Sequence, residues 1–432
     1  GPSRNSLLTG LYPNATGILN NDQLFRQSIP SQPSMPQVFR QQGYFAARVG
    51  KLFHYGVPSG IGTTGDDDPG SWELAMNPIG VDNLEELPLI TSLVRRQFGA
   101  TLSWYASPKS DEFHTDGRVA REAEWILERC AQRADQPFFL AVGFYRPHTP
   151  YVAPRSPYFD QYPEAAMPVV TGIADDRADI PAAALASDKP EQLAMTDEQR
   201  RQAVQAYYAS ISFMDAQVGR VVATLDRLGL SESTVIVFTS DHGYHMGEHG
   251  LWQKMSLFEG SVRVPLLIVA PGTSVPGAVV KAPVAQVDLF PTLAELCGIE
   301  PPANLQGQSL VPMLADSAVL GRGWALTMLR RGMAGQALTR EARPGGGGFF
   351  GYSLRTPRWR YTEWADGQRG RELYDHDTDP QELTNLAALP AYAATIAELA
   401  PQLQAAVKTT FPPSGKTPEW KGAHWQPSLM DP

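Results

Sequence analysis

Cysteine is almost absent from this chain. Only Cys130 and Cys297 occur among 432 residues. Both sit in stretches with amphipathic helical spacing, so they read as buried thiols rather than a disulfide or a metal pair. Two cysteines neither require nor forbid an oxidising compartment. Long apolar runs are also missing: no stretch reaches the 18 or so residues that a membrane-spanning helix needs. An excess of positive charge is lacking too, since 36 Lys and Arg face 45 Asp and Glu for a net charge of −9. That balance argues against a general nucleic-acid or polyanion binder. It leaves room for a small cationic pocket around one anionic group. No internal repeat is visible. With 43% hydrophobic and 19% charged residues, the composition is that of a globular protein, not a disordered one. The length suffices for a large core and two to three domains' worth of material.

What is present is an alternation of short apolar runs with helical patterns, the signature of an α/β fold. Tyr44–Val49, Phe138–Gly143, Thr234–Thr239 and Leu266–Ala270 read as buried strands of a mostly parallel sheet. Gly117–Gln132 has helical periodicity through Val119, Ala123, Ile126, Leu127 and Cys130. Thr196 and Gln199 form a capping-box pattern ahead of a long helix reaching about Leu228. Gln286–Gly298 ends in another helix, with Gly298 as its C-cap. From about Gly321 the texture changes. Ala325–Leu329, Tyr352–Arg355, Trp359–Trp364 and Glu372–Tyr374 read as short antiparallel strands, and Ala391–Val407 as a helix. Residues 1–315 are therefore expected to form the main domain and 316–432 a smaller α+β subdomain. Gly345–Gly348 reads as a mobile loop, and the Pro-rich tail from Phe411 as extended packing or disorder.

Three apolar runs end in reactive polar residues. The first leads into Gly50-Lys51-Leu52-Phe53-His54, the second into Arg146-Pro147-His148-Thr149-Pro150. The third leads into Ser240-Asp241-His242-Gly243-Tyr244, then Glu248-His249-Gly250 and Trp252-Gln253-Lys254. Ligands of open α/β sheets bind beyond the carboxyl ends of the strands. Three such endings with Lys, His and Asp point to a single site. Lysines are compact point charges suited to the oxygens of an anion. Carboxylate and imidazole can hold a hard divalent cation, and histidines can move protons near neutrality.

These segments resemble the motifs of the type I sulfatases. The opening Gly1-Pro2-Ser3-Arg4, with Leu8-Thr9-Gly10 at the right offset, is similar to the signature in which a Cys or Ser is oxidised to formylglycine. Leu11 departs from the Arg that often follows. In that alignment the modified residue falls immediately before Gly1. G-K-x-x-H, P-H-x-P, S-D-H-G, G-E-H-G and W-x-K follow in family order, as do Gln306-Gly307-Gln308-Ser309-Leu310 and Leu373-Tyr374-Asp375. Gly50-Lys51-Leu52-Phe53-His54, the loop Asp66-Asp67-Asp68-Pro69-Gly70-Ser71-Trp72 and Gly351-Tyr352-Ser353-Leu354-Arg355-Thr356 resemble the iduronate-2-sulfatase branch most.

The resemblance implies an alkaline-phosphatase-like core whose first strand lies upstream of Gly1. It implies that Asp241 and His242 bind Ca2+ (Mg2+ being possible), together with two upstream aspartates and the formylglycine. Arg4 would steady the formylglycine hydrate, while Lys51 and His54 would hold its second hydroxyl and the sulfate. Lys254 would grip sulfate oxygens, His148 would protonate the leaving oxygen, and Tyr244 would line the sugar pocket. By that resemblance, one hydroxyl of the aldehyde hydrate would attack sulfur as the alcohol leaves, and deprotonation of the other would expel sulfate and restore the aldehyde. The implied partner is a sulfated carbohydrate, such as a 2-O-sulfated uronate, or a small sulfate ester, in a periplasmic or secreted setting. Two rivals stay open: a phosphodiesterase or phosphonate monoester hydrolase of the same superfamily, and a catalytically silent sulfated-glycan-binding module. His245 and His249 read as supporting residues, and His114, His376 and His424 as surface or packing residues. Asp66–Asp68 reads as a solvated turn.

Overall fold

The computed structural model describes residues 1–133, 135–332 and 348–418. His424, most of the 345–348 glycine run and the end of the Pro-rich tail lie outside these residues. The chain divides into two compact units, one of Pro36–Thr171 with Lys189–Thr234, the other of Gly1–Met35, Gly172–Asp188 and everything from Val235 onward.

In the unit containing Pro36–Thr171, the central strand Phe45–Gly50 pairs in parallel with Leu74–Met76 on one side and Phe138–Gly143 on the other. The helix Thr115–Ala131 covers this sheet. Its Val119, Ala123, Ile126, Leu127 and Cys130 recur at helical spacing and are all buried, and all but Leu127 share one core cluster with Ala47 and Val49. The long helix Asp197–Arg227 begins at a reciprocal capping box. Gln199 N donates to Thr196 Oγ1 (3.2 Å) and Thr196 N to Gln199 Oε1 (3.0 Å). A second sheet joins Ser103–Ser107 in parallel to Tyr151–Pro154. The expected solvated turn at Asp66–Asp68 is instead tied inward. Asp67 accepts from Arg48 Nε (2.7 Å) and from Trp72 Nε1 (3.1 Å), and Asp68 is buried against Ser71. Arg48 is the reason, since a guanidinium buried in the central strand demands a carboxylate.

In the other unit, Ile236–Thr239 pairs with Leu266–Val269, and the pairing is antiparallel rather than parallel. A parallel neighbour needs a crossover segment packed over the sheet. The chain between these strands instead turns back through a short hairpin of His245–Met246 and Trp252–Gln253 and a four-residue helix, Glu259–Val262. The antiparallel sheet expected late in the chain is present, in the order Ala325–Arg331, Phe349–Arg355, Trp359–Trp364, Arg371–Asp375. The helix Ala393–Thr409 lays Leu399, Leu403 and Ala406 onto its Leu326, Leu354, Tyr361 and Leu373. Cys130 is buried and Cys297 half-buried.

Candidate active site

The unit that holds Asp241 presents it from the loop after Ile236–Thr239, beside the start of the helix Pro2–Thr9. Pro2 opens that helix where its missing N–H costs nothing, and Gly10 closes it in the left-handed conformation (φ 67°). Its first turn carries both contacts to the loop. The Ser3 hydroxyl donates to the Asp241 carbonyl and lies 2.6 Å from Gln286 Oε1, while Gln286 Nε2 donates to the Ser240 carbonyl. Arg4 Nε donates to Asp241 Oδ2 at 2.8 Å. The other carboxylate oxygen, Oδ1, lies 3.6 Å from His242 Nε2. His242 Nδ1 contacts the Gly243 carbonyl (2.8 Å). A carbonyl can only accept, so the proton is on Nδ1 and the Nε2 lone pair is available.

Burial pushes the His242 imidazole down to about 4 against the pull of the Asp241 charge, with Lys254 and Arg4 reinforcing the shift. The ring is neutral at physiological pH, as a metal ligand must be. A separation of 3.6 Å between Oδ1 and Nε2 suits two donors to one hard cation with ligand distances of about 2.3–2.6 Å. The donor set thus fits the implied cation. Tyr244 follows directly and is half-buried.

Lys51, His54 and His148 belong to the other unit. Lys51 is only 3% exposed, contrary to a solvated loop lysine. Its N–H donates to the Gly143 carbonyl (2.8 Å), which continues the parallel ladder by one residue past Gly50. Glycine is required on both sides of that crossing. A Cβ on Gly143 would lie 1.9 Å from the Lys51 carbonyl oxygen, and one on Gly50 would lie 2.2 Å from that of Gly143. His54 is half-buried, and its carbonyl accepts the Asp66 N–H (3.1 Å). His148 sits in a turn fixed by Asp116, whose carboxylate accepts the N–H groups of Tyr145 (2.9 Å) and Arg146 (2.8 Å). Burial raises that carboxyl to about 6, although Arg146 and the two N–H bonds oppose the rise. His148 Nδ1 faces the Thr149 carbonyl (2.7 Å), so Nδ1 carries a proton.

The remaining described histidines have structural partners. His245 Nε2 bonds Ser256 Oγ (2.7 Å), and His249 meets Asp176 (3.1 Å) and stacks on Phe258. His114 is buried with its ring against Phe213. His376 lies 2.9 Å from Glu382, close to Glu259. This trio has the spacing of a metal cluster, but Arg360 donates into it, to both carboxylates. Burial alone would raise the Glu382 carboxyl; the Arg360 guanidinium and the His376 bond hold it down to about 2. A guanidinium already answers the negative charge there. Sequence reasoning missed Ser3 and Gln286 as supports of the Asp241 loop. Ser3 stands next to Arg4 in the signature, but its partner lies 238 positions away and no local pattern announces it.

The Sulfatase family model matches residues 1–299. The chain belongs to the sulfatase family. This sulfatase is 32% identical over 400 residues to a sulfatase of Formosa agariphila, covering 90% of this chain and 73% of that one. It is 29% identical to the iduronate 2-sulfatase of Mus musculus, covering 89% and 82%. A solved phosphonate monoester hydrolase from Silicibacter pomeroyi superposes with a TM-score of 0.72 at 25% identity, covering 94% and 85%. The protein is a sulfuric ester hydrolase with a mixed α/β fold of the alkaline-phosphatase type. Among the described residues, no helix is long and apolar enough to cross a membrane.

Proposed function

We propose that this sulfatase hydrolyses the 2-O-sulfate of a uronate in a sulfated glycan, with a formylglycine derived from Cys or Ser before Gly1 and with Ca2+ as its metal. The supporting observation is the Arg4–Asp241–His242 arrangement, in which one carboxylate oxygen is clamped by a guanidinium and the other faces an imidazole lone pair. The substrate class rests on the likeness to iduronate 2-sulfatase. When present, the formylglycine supplies the nucleophile and the cation lowers charge repulsion against it.

The chain's own residues carry the remaining tasks. Asp241 and His242 hold the cation, and Arg4 fixes the Asp241 carboxylate in one rotation. Lys51, His54 and Lys254 stabilise the sulfate oxygens as the S–O bond breaks. His148, as the imidazolium with both ring nitrogens protonated, gives the Nε2 proton to the departing alcohol. Tyr244 contacts the sugar.

Replacing Asp241 with Ala should abolish turnover and reduce bound metal together, with Ca2+ restoring chelated wild type but not the variant. Intact mass should show the aldehyde at the residue before Gly1. Disaccharides sulfated only at uronate O2 should be desulfated, and those sulfated only at glucosamine O6 should not. Full activity in metal-free protein would refute the metal assignment. Release from the 6-O-sulfated disaccharide alone would refute the substrate. The likeness to a phosphonate monoester hydrolase favours one alternative, phosphonate or phosphate ester hydrolysis.

A further inference from the structure

Lys254 lies on an irregular segment, yet its backbone is held from two directions. Its carbonyl accepts the Ser256 N–H (3.0 Å) and also the hydroxyl of Ser261. Ser261 is 2% exposed, and its own carbonyl accepts the Gly243 N–H (2.8 Å). The Gly243 carbonyl receives His242 Nδ1–H (2.8 Å). These bonds form one unbroken path from the His242 imidazole through Gly243 and Ser261 to Lys254. The path has little slack. A Cβ on Gly243 would lie 2.3 Å from the Gly260 carbonyl oxygen and 2.6 Å from that of Arg263, so the two backbones touch. Beyond Lys254, Ser256 Oγ is fixed by His245 Nε2 (2.7 Å) and accepts the Phe258 N–H (3.3 Å).

We infer that Ser261 is a positioning residue, whose hydroxyl registers Lys254 against the Asp241–His242 loop. This rests on the reading that Lys254 grips the sulfate. The physical argument separates direction from stability. If the hydroxyl is removed, the Lys254 carbonyl keeps the Ser256 N–H, so no buried acceptor is orphaned and the fold survives. The direction in which Lys254 leaves the backbone is then set by one bond in place of two. A charge that must meet a sulfate oxygen as charge develops is sensitive to misplacement of about 1 Å, which can cost roughly 100-fold in rate.

The test is a double-mutant cycle on the full-length, formylglycine-bearing protein with an aryl sulfate. Ser261→Ala should lower kcat/KM by about 10- to 100-fold with an unchanged circular dichroism spectrum. In a Lys254→Ala background the same change should have almost no further effect, because its action runs through Lys254. Ser261→Cys, which keeps the bulk and offers a weaker donor, should lose less. Competitive acetylation of lysines, read by peptide mass spectrometry, needs no turnover. Ser261→Ala should change the labelling rate of Lys254 severalfold and leave the other lysines unaltered. An unchanged Lys254 labelling rate, or an equal loss of activity in both backgrounds, overturns the positioning role. Altered labelling in a protein whose wild type cleaves no sulfate ester leaves the positioning role standing and refutes the functional reading instead.

Discussion

At the scale of single residues, candidate site residues could be named from the sequence, but the contacts that hold them could not. Asp241, His242, Lys51 and His148 stand out because reactive side chains directly after apolar runs are conspicuous. Ser3, Gln286 and Asp116 are ordinary polar residues whose contacts are with distant partners, and Ser261 reaches Lys254 across a turn that no motif marks. Asp67 shows the same limit in reverse. Three consecutive carboxylates look like a solvated turn until Arg48 is found buried beneath them. For His148, Nδ1–H is committed to the Thr149 carbonyl, so the proposed acid is the Nε2–H of the charged imidazolium. His148→Ala should therefore slow alkyl sulfates far more than activated aryl sulfates, by roughly 10²–10⁴-fold against a small change. A series of leaving groups of graded pKa checks this. Equal losses across the series would assign His148 to binding.

At the scale of elements, hydrophobic periodicity located strands and helices well, while pairing direction escaped it. Phe138–Gly143 has the expected bounds, and the Thr196 cap forms with both of its reciprocal bonds. The direction of Leu266–Val269 depended on the path of the intervening chain, which carries no period. The C-terminal sheet makes its own prediction. Glu372 is buried and accepts from Trp364 Nε1 (2.6 Å) and the Tyr374 hydroxyl (3.1 Å). Burial raises its carboxyl from 4.5 to about 7 despite those bonds. A raised carboxyl favours the fold fully below its unfolded value and loses that contribution as pH rises through its folded value. Wild-type stability should thus fall relative to Glu372→Gln between pH 4.5 and 7, by up to about 1.4 kcal/mol per pH unit. Denaturant titrations at pH 5, 6, 7 and 8 read the difference, and parallel profiles would contradict it. Glu382, held down at about 2, stays ionised throughout this range and does not blur the comparison.

At the scale of the whole molecule, a net charge of −9 coexists with a chemistry that needs cations. On the proposed reading, a few of the 36 Lys and Arg supply that positive charge from held positions, Arg4 on Asp241 and the buried Lys51 among them. Removing one such preorganised group costs roughly 10²–10³ in rate, so where each sits matters more than the sum. The family was legible from the order of short motifs along nearly the full length. The substrate was not, because sugar recognition depends on loop surfaces that no motif encodes. The central claim is that these residues stabilise a sulfuryl group in transfer. The most direct measurement is kcat/KM of purified, formylglycine-bearing protein on a matched pair, an aryl sulfate and the corresponding aryl phosphonate monoester. The account predicts faster hydrolysis of the sulfate, with the advantage falling when Lys254 is replaced by Ala. Faster hydrolysis of the phosphonate by wild type would contradict it.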